Sequence, residues 1–107
     1  MEHRIVYENG DSYCAFPDVA RLRSGELIIV FREADRRRFA THLDRTARIS
    51  LIRSADEGKT WRDKITVYDE PEASLQDPSV RQLSDGTLIL SFFKWIIGKD
   101  TDSPPWY

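Results

Sequence analysis

The sequence has 107 residues, which is enough for one domain with a modest hydrophobic core. Its 16 Lys and Arg residues against 18 Asp and Glu residues give a formal net charge of −2, so no overall positive field draws the chain to nucleic acid. One cysteine and two histidines exclude an internal disulfide and a familiar structural zinc set, and we expect no cofactor.

The amino terminus shows no targeting signal. Residues 1–4 lack the apolar segment of a secretory signal, and no apolar run approaches the ~18 residues that a bilayer-spanning helix needs. We therefore expect a cytoplasmic protein with no membrane partner, and secretion stays open if the sequence is part of a longer chain.

Short runs of β-branched and aromatic residues predict an all-β chain. In chain order, the predicted strands are residues 4–7, 16–22, 26–32, 47–53, 64–68, 79–83 and 87–95. Gly and Asp lie between several of these runs, where tight reversals need them. No segment has the 3.6-residue periodicity of an amphipathic helix.

Two segments have no strand pattern. Residues 33–46 form a long, charged connection of the kind that often lines a site. Its basic cluster, residues 36–38, is interpreted as part of a solvated loop without a function. Residues 98–107 contain two adjacent prolines and are predicted to be a loop tail.

An internal repeat organises the chain. Residues 16–31 align without a gap to residues 77–92, and seven of the sixteen pairs are identical. The shared residues suit a strand, a glycine turn and a second strand, with the proline at a strand start where its missing N–H is tolerated. Self-similarity at a fixed period indicates stacked or radial units.

One unit of the repeat contains four predicted strands, and four-stranded antiparallel meanders repeated radially form a β-propeller. We therefore predict about one and a half to two blades of an incomplete ring. Residues 13–70 form the first blade and residues 77–97 the first hairpin of the second. The strand at residues 4–7 is expected to be loosely held or to pair elsewhere, because in a complete ring such a strand closes the last blade.

Residues 54–61 have the pattern S-x-D-x-G-x-T-W between the third and fourth strands of the first unit. An Asp in such a loop accepts backbone hydrogen bonds, Gly takes a positive φ, and Trp covers the turn. We assign this motif a structural role and no contact with substrate. Its members are Ser54, Asp56, Gly58, Thr60 and Trp61.

This motif resembles the Asp-box, or BNR, repeat of sialidases (neuraminidases) and related six-bladed propeller glycoside hydrolases, and the resemblance covers roughly residues 13–95. It implies that the chain is an amino-terminal portion of a sialidase-like enzyme and that its partner is a carbohydrate, which can be sialylated. Sialidases bind the substrate carboxylate with three arginines and attack with a Tyr. Ala15 stands where the family has its first arginine, and the other groups belong to later blades, so we expect the isolated chain to be inactive.

The resemblance also suggests site residues in the long connection. Asp44 is the closest match to the family's acid/base, ahead of Asp35, and it would need a partly apolar pocket that raises its pKa. His42 is either a donor to sugar hydroxyls or an ordinary loop residue.

Three further residues are candidates for substrate binding. Asp77 opens the second unit, where it either faces a sugar hydroxyl or caps the strand. Arg32 and Glu33 end the second strand of the first unit, where they either point toward the mouth of the propeller or form a surface ion pair.

Two other functions are compatible with the sequence. The chain could be a non-catalytic BNR propeller module that binds carbohydrate or protein, as Ala15 suggests. It could also associate with itself through unpaired edges of its blades, because exposed strand edges invite pairing.

Overall fold

The computed structural model describes residues 1–97. Within them the chain is all-β and contains no helix, so no helix there could span a membrane. The strands are β1 Ser12–Arg21, β2 Leu27–Asp35, β3 Arg48–Ser54, β4 Arg62–Tyr68, β5 Ala73–Gln82 and β6 Leu88–Ile96. The first four form an antiparallel sheet in the order β1-β2-β3-β4, called sheet A, and the last two form an antiparallel pair, called sheet B. The loop tail predicted at residues 98–107 lies outside the described residues.

The β1–β2 and β5–β6 hairpins have the same construction. Both contain a bulge at the aligned position, where Phe16 and Asp77 adopt φ values of 54° and 46° ahead of their prolines. Both turns place a glycine at positive φ, Gly25 at 89° and Gly86 at 94°, as turns of this kind require. The repeat seen in the sequence is therefore a repeat in backbone conformation.

The bulges correct the predicted strand starts. We expected the prolines to open strands at residues 16 and 79, but β1 begins at Ser12 and β5 at Ala73. A bulge leaves a residue out of the ladder, so Pro17 and Pro78 sit inside strands without breaking them.

Sheet B packs against one face of sheet A. Val80 of β5 packs with Ile28 and Val30 of β2, and Leu75 packs with Ile49 of β3. The five side chains are at most 2% exposed and form the core between the sheets. Among the described strands, β5 lies close to β1, β2 and β3. Side chains of β6 also reach sheet A, where the ring of Phe92 packs on Tyr68 of β4 with centroids 5.0 Å apart.

A carboxylate joins the two sheets at the edge of this core. Asp18 Oδ2 on β1 accepts hydrogen bonds from the Ser79 hydroxyl at 2.9 Å, the Val80 amide at 2.9 Å and Arg81 Nη1 at 2.8 Å. These three bonds fix the register of β5 against β1.

The opposite face of sheet A, called the back face, is partly covered by the amino-terminal segment. The strand predicted at residues 4–7 is wrong, because these residues form no strand. Three of the four residues are apolar or aromatic, but the segment joins no ladder, and only Tyr7 is partly buried. Its ring packs on Phe31, with the ring centroids 5.3 Å apart.

Candidate functional site

The candidate site lies at the end of sheet A where β1 begins and β2 ends. The loop of residues 36–47 crosses this end and reaches β5. A cavity of about 110 Å³ opens there, and a groove of about 300 Å³ runs beside it along the loop. The cavity is lined by Tyr13, Phe16, Arg32, Ala40, Thr41 and His42.

Arg32 is the buried cation of the site. Its side chain is 2% exposed, with Nε donating to the carbonyl of Leu75 at 3.1 Å and Nη2 to the carbonyl of Thr41 at 2.8 Å. Burial lowers its pKa, and the nearby charges of Asp44 and Asp77 oppose that shift. Arginine remains protonated in this setting.

The third nitrogen of Arg32, Nη1, has no hydrogen-bond acceptor among residues 1–97. Every buried side-chain nitrogen and oxygen in that part of the chain has a hydrogen-bond partner, so Nη1 itself is accessible and not enclosed. Nη1 is therefore the atom through which the guanidinium meets the cavity, where an oxygen of a ligand would complete its bonding.

His42 forms the aromatic wall of the cavity together with Phe16. The two rings stack with centroids 6.3 Å apart and planes 14° apart. The histidine backbone is anchored to β5, because its carbonyl accepts hydrogen bonds from Ser74 Oγ at 2.5 Å and Gln76 Nε2 at 2.8 Å. Ser74 and Gln76 are at most 1% exposed, so this end of the loop is fixed to sheet B.

Asp44 is buried, but its surroundings do not suit a general acid. Arg37 Nε donates to Oδ2 at 2.8 Å, and the amide and hydroxyl of Thr46 donate to Oδ1 at 2.9 and 2.7 Å. Burial raises the pKa of Asp44, and these bonds lower it by more, so the net shift is downward. The sequence argument required the opposite shift, so in this conformation Asp44 is an ionised loop-fixing group.

The alternative acid, Asp35, is also paired. Its Oδ1 accepts from Arg48 Nη1 at 3.2 Å, and its side chain is 59% exposed, which provides no apolar pocket. Asp35 therefore lacks the partly apolar pocket that the sequence argument required of an acid/base.

Asp77 lies at the bulge of β5, and the structure brings it within electrostatic range of Arg32. Its left-handed backbone conformation is one that Asp tolerates better than most residues. The side chain is exposed, so it is accessible from the same end of the molecule as the cavity.

Glu33 does not belong to this site. Neighbouring residues of a strand point to opposite faces, so Glu33 faces away from Arg32. There its buried carboxylate accepts from Lys64 Nζ at 2.6 Å and pairs with Arg48 at 2.9 Å. Burial raises its pKa, but Lys64, Tyr7 and Arg48 together lower it by more. The predicted surface ion pair between Arg32 and Glu33 is wrong, since both side chains are buried and they do not meet.

The S-x-D-x-G-x-T-W motif lies at the other end of sheet A, in the β3–β4 turn. Asp56 accepts from the Thr60 amide at 2.9 Å and the Thr60 hydroxyl at 2.6 Å, and Ser54 Oγ donates to it at 2.9 Å. These bonds lower the pKa of Asp56 to about 2. Gly58 has a φ of 80°, and Trp61 Nε1 donates to its carbonyl at 3.2 Å.

The position of this turn separates it from the cavity. Ser54 pairs with Leu27 at the start of β2, five residues before Arg32, which corresponds to about 17 Å along a strand. The motif therefore stabilises the turn, at the end of the sheet away from the cavity.

Sequence reasoning missed several residues of the site. Tyr13 and Phe16 line the cavity, Gln76 anchors the loop, and Arg37 holds Asp44. The basic cluster to which Arg37 belongs was interpreted as a solvated loop, and this member instead fixes a buried carboxylate. The sequence contained one signal for Phe16. It precedes a proline and aligns in the repeat with Asp77, which was already a candidate site residue.

Residues 1–97 contain no group of three or more His, Cys, Asp or Glu side chains that could hold a metal ion. The polar groups around the cavity are a guanidinium, an imidazole, the hydroxyls of Tyr13 and Thr41, and backbone carbonyls. This set can bind an oxygen-rich organic ligand by hydrogen bonding.

The comparisons with known proteins define the fold better than the function. No family model matches the chain, and no curated protein matches it. A solved structure that resembles it is a protein of unknown function from Dyadobacter fermentans DSM 18053, with 29% sequence identity and a TM-score of 0.80. The match covers 90% of this chain and 28% of that protein, so the chain spans less than a third of the length of its structural relative.

Proposed function

We propose that this chain forms the opening blade and a half of a sialidase-like β-propeller and contributes a carbohydrate-binding wall to it, without hydrolytic activity of its own. The cavity around Arg32 carries this proposal. It combines a buried guanidinium that has one unbonded nitrogen with a wall of two stacked rings. Aromatic faces and a few fixed polar groups are the usual elements of a sugar-binding pocket.

Two features of the fold support a radial arrangement of the sheets. The two hairpins repeat bulge for bulge and turn for turn. Sheet B also approaches sheet A through β5, which lies closest to β1, then to β2 and then to β3. Two antiparallel sheets that pack face to face through their first strands have the arrangement of neighbouring propeller blades.

The environment of the carboxylates favours binding over hydrolysis. Asp44 is held ionised by Arg37 and Thr46, so it has no proton to donate at neutral pH. The position of the first sialidase arginine is Ala15. A glycosidase-related ring in which this segment binds sugar, or a non-catalytic BNR module, accounts for both facts.

Titration of the labelled chain with methyl sialoside and with methyl galactoside, followed by amide chemical shifts, tests the proposal. We expect shifts to concentrate at Phe16, Arg32 and His42, and no release of product from a fluorogenic sialoside. Turnover by the isolated chain would refute the lack of activity.

Two variants and a control identify the binding groups. Arg32→Met removes the guanidinium and also its bonds to two backbone carbonyls, so Phe16→Ala serves as a second variant that leaves those bonds intact. Both should abolish the shifts. Arg21→Met removes an exposed arginine near the opposite end of sheet A and should leave them unchanged. Binding that persists in both site variants would exclude the cavity.

A further inference from the structure

The internal repeat relates the faces of the two sheets. Ile28, Arg32 and Ala34 lie on the face of sheet A that is turned toward sheet B, and they are at most 2% exposed. Their aligned partners in the second unit are Ile89, Phe93 and Trp95. These lie on one side of β6, because alternate residues of a strand share a face. We call this side the outer face of sheet B.

Within residues 1–97 the β6 part of the outer face is apolar and exposed, whereas Ser74 and Gln76 of β5, which pair with Trp95 and Phe93, are covered by the loop at His42. Ile89, Phe93 and Trp95 are 48%, 46% and 49% exposed, and the rings of Phe93 and Trp95 are in edge contact with centroids 6.2 Å apart. A contiguous exposed patch with aromatic side chains is typical of an interaction surface.

The complementary surface is the back face of sheet A. Val80, which inserts between the sheets and is 2% exposed, aligns with Val19, which is 54% exposed. Leu90 and Phe92, which also pack into that core, align with Ile29 and Phe31 of the back face. One copy of the chain therefore carries two complementary faces. The outer face of sheet B corresponds to the face of sheet A on which sheet B packs, and the back face of sheet A corresponds to the face of sheet B that packs there.

We propose that the outer face of sheet B binds the back face of sheet A in a second copy of this chain, head to tail. The proposed contact between copies resembles the contact of sheet B with sheet A within one chain, because the repeat places equivalent residues on the corresponding faces. Contacts of this kind use two different surfaces, so they produce rings where the rotation closes and open chains where it does not. The interaction uses the faces of the sheets, and it does not depend on sugar binding.

The amino-terminal segment competes for the same surface. Tyr7 packs on Phe31, while Val19 and Ile29 remain at least partly exposed. A docked sheet must displace Tyr7 from Phe31 or pack beside it, so Tyr7→Ala should strengthen association.

Sedimentation velocity of the full chain from about 1 μM to about 1 mM covers the range of weak to moderate affinities. We expect assembly that grows with concentration. Val19→Glu and Phe93→Glu each place a charge at one of the two faces and should weaken assembly at least about tenfold. Trp95→Glu provides a second variant of the outer face. Ile65→Glu, at an exposed apolar residue on β4, is the matched control and should assemble like the wild type.

A mixing experiment distinguishes head-to-tail binding from symmetric pairing. The Val19→Glu chain keeps an intact outer face, and the Phe93→Glu chain keeps an intact back face, so an equimolar mixture should form a 1:1 complex and nothing larger. A wild type that stays monomeric throughout would overturn the proposal. Assembly that Phe93→Glu abolishes and Val19→Glu leaves intact would overturn it too, because the outer faces would then pair with each other.

Discussion

The bond between the two sheets can be tested at Asp18. The substitution Asp18→Asn keeps the shape of the side chain and removes the charge that attracts three donors of β5. A hydrogen bond to a charged group contributes about 1.5–3 kcal/mol. The contact with Arg81 counts for less, because the arginine is 67% exposed and surface pairs contribute about 0–1 kcal/mol.

Because the amide oxygen of Asn can still accept one bond, we expect a net loss of about 2 kcal/mol in the free energy of unfolding. For a domain of this size that loss lowers Tm by about 10 °C. The measurement is urea unfolding of wild type and variant, followed by tryptophan fluorescence.

The effect should depend on pH with a definite sign. The pKa of Asp18 is lowered, chiefly by the hydrogen bond from the amide of Val80; burial raises the pKa, and Ser79 and Arg81 add smaller lowering contributions, so the net shift is downward. A group with a depressed folded-state pKa stabilises the fold above its unfolded pKa of about 3.9, and this contribution is lost as the pH falls through the folded value. The difference in the free energy of unfolding between wild type and Asp18→Asn should therefore be constant above about pH 5 and should disappear in acid.

A control separates the sheet contact from the loss of a negative charge. Asp85→Asn makes the same change of charge at a carboxylate that bonds the amide and the side chain of Thr87, within its own turn and without a contact to the other sheet among residues 1–97. Hydrogen exchange at the Val80 amide gives the local readout, since this amide donates to Asp18, and its protection should fall in Asp18→Asn alone. Equal stability of the two variants, with unchanged exchange at Val80, would refute the reasoning.

Three other substitutions test separate parts of the fold. Asp56→Asn should lower Tm. The stability difference from wild type should disappear as the pH falls from about 4 to about 2, because the folded pKa of Asp56 is about 2. Acid titration followed by tryptophan fluorescence measures this difference. Gly25→Ala should cost about 1 kcal/mol in urea unfolding, since the added Cβ meets open space and only the φ of 89° is strained; no loss would contradict that backbone assignment. Glu33→Gln should cost about 3 kcal/mol by the same assay, because it leaves Lys64 and Arg48 without their buried partner, and a neutral result would mean that the cations find other acceptors.

The sequence predicts the hairpins well because their signals are local. Gly25 and Gly86 mark turns whose backbone needs a positive φ, and the apolar runs beside them have the composition of strands. The predictions fail where a strand passes through a bulge. A proline was taken as the start of each strand, although a bulge admits the missing N–H within the ladder.

The contents of the candidate site follow less directly from the sequence. Period-two alternation already places Arg32 on the side of Ile28 and Val30, and Glu33 on the other, so the burial of both could have been inferred. The partners could not. Glu33 on β2 meets Lys64 on β4 across the intervening strand β3, and the loop that brings Asp44 to Arg37 has no periodic pattern from which to predict its path.

The cavity depends on the docking of the second hairpin, which links the fold to the proposed function. Arg32 is held by the carbonyl of Leu75, and His42 by Ser74 and Gln76, so both walls of the cavity bond to β5. Asp18 fixes the carboxy-terminal half of the same strand through the amide of Val80. Weakening that contact by Asp18→Asn should therefore reduce sugar binding in parallel with stability, although Asp18 does not line the cavity. Binding that is unaffected while β5 loosens would show that sheet A alone forms the site.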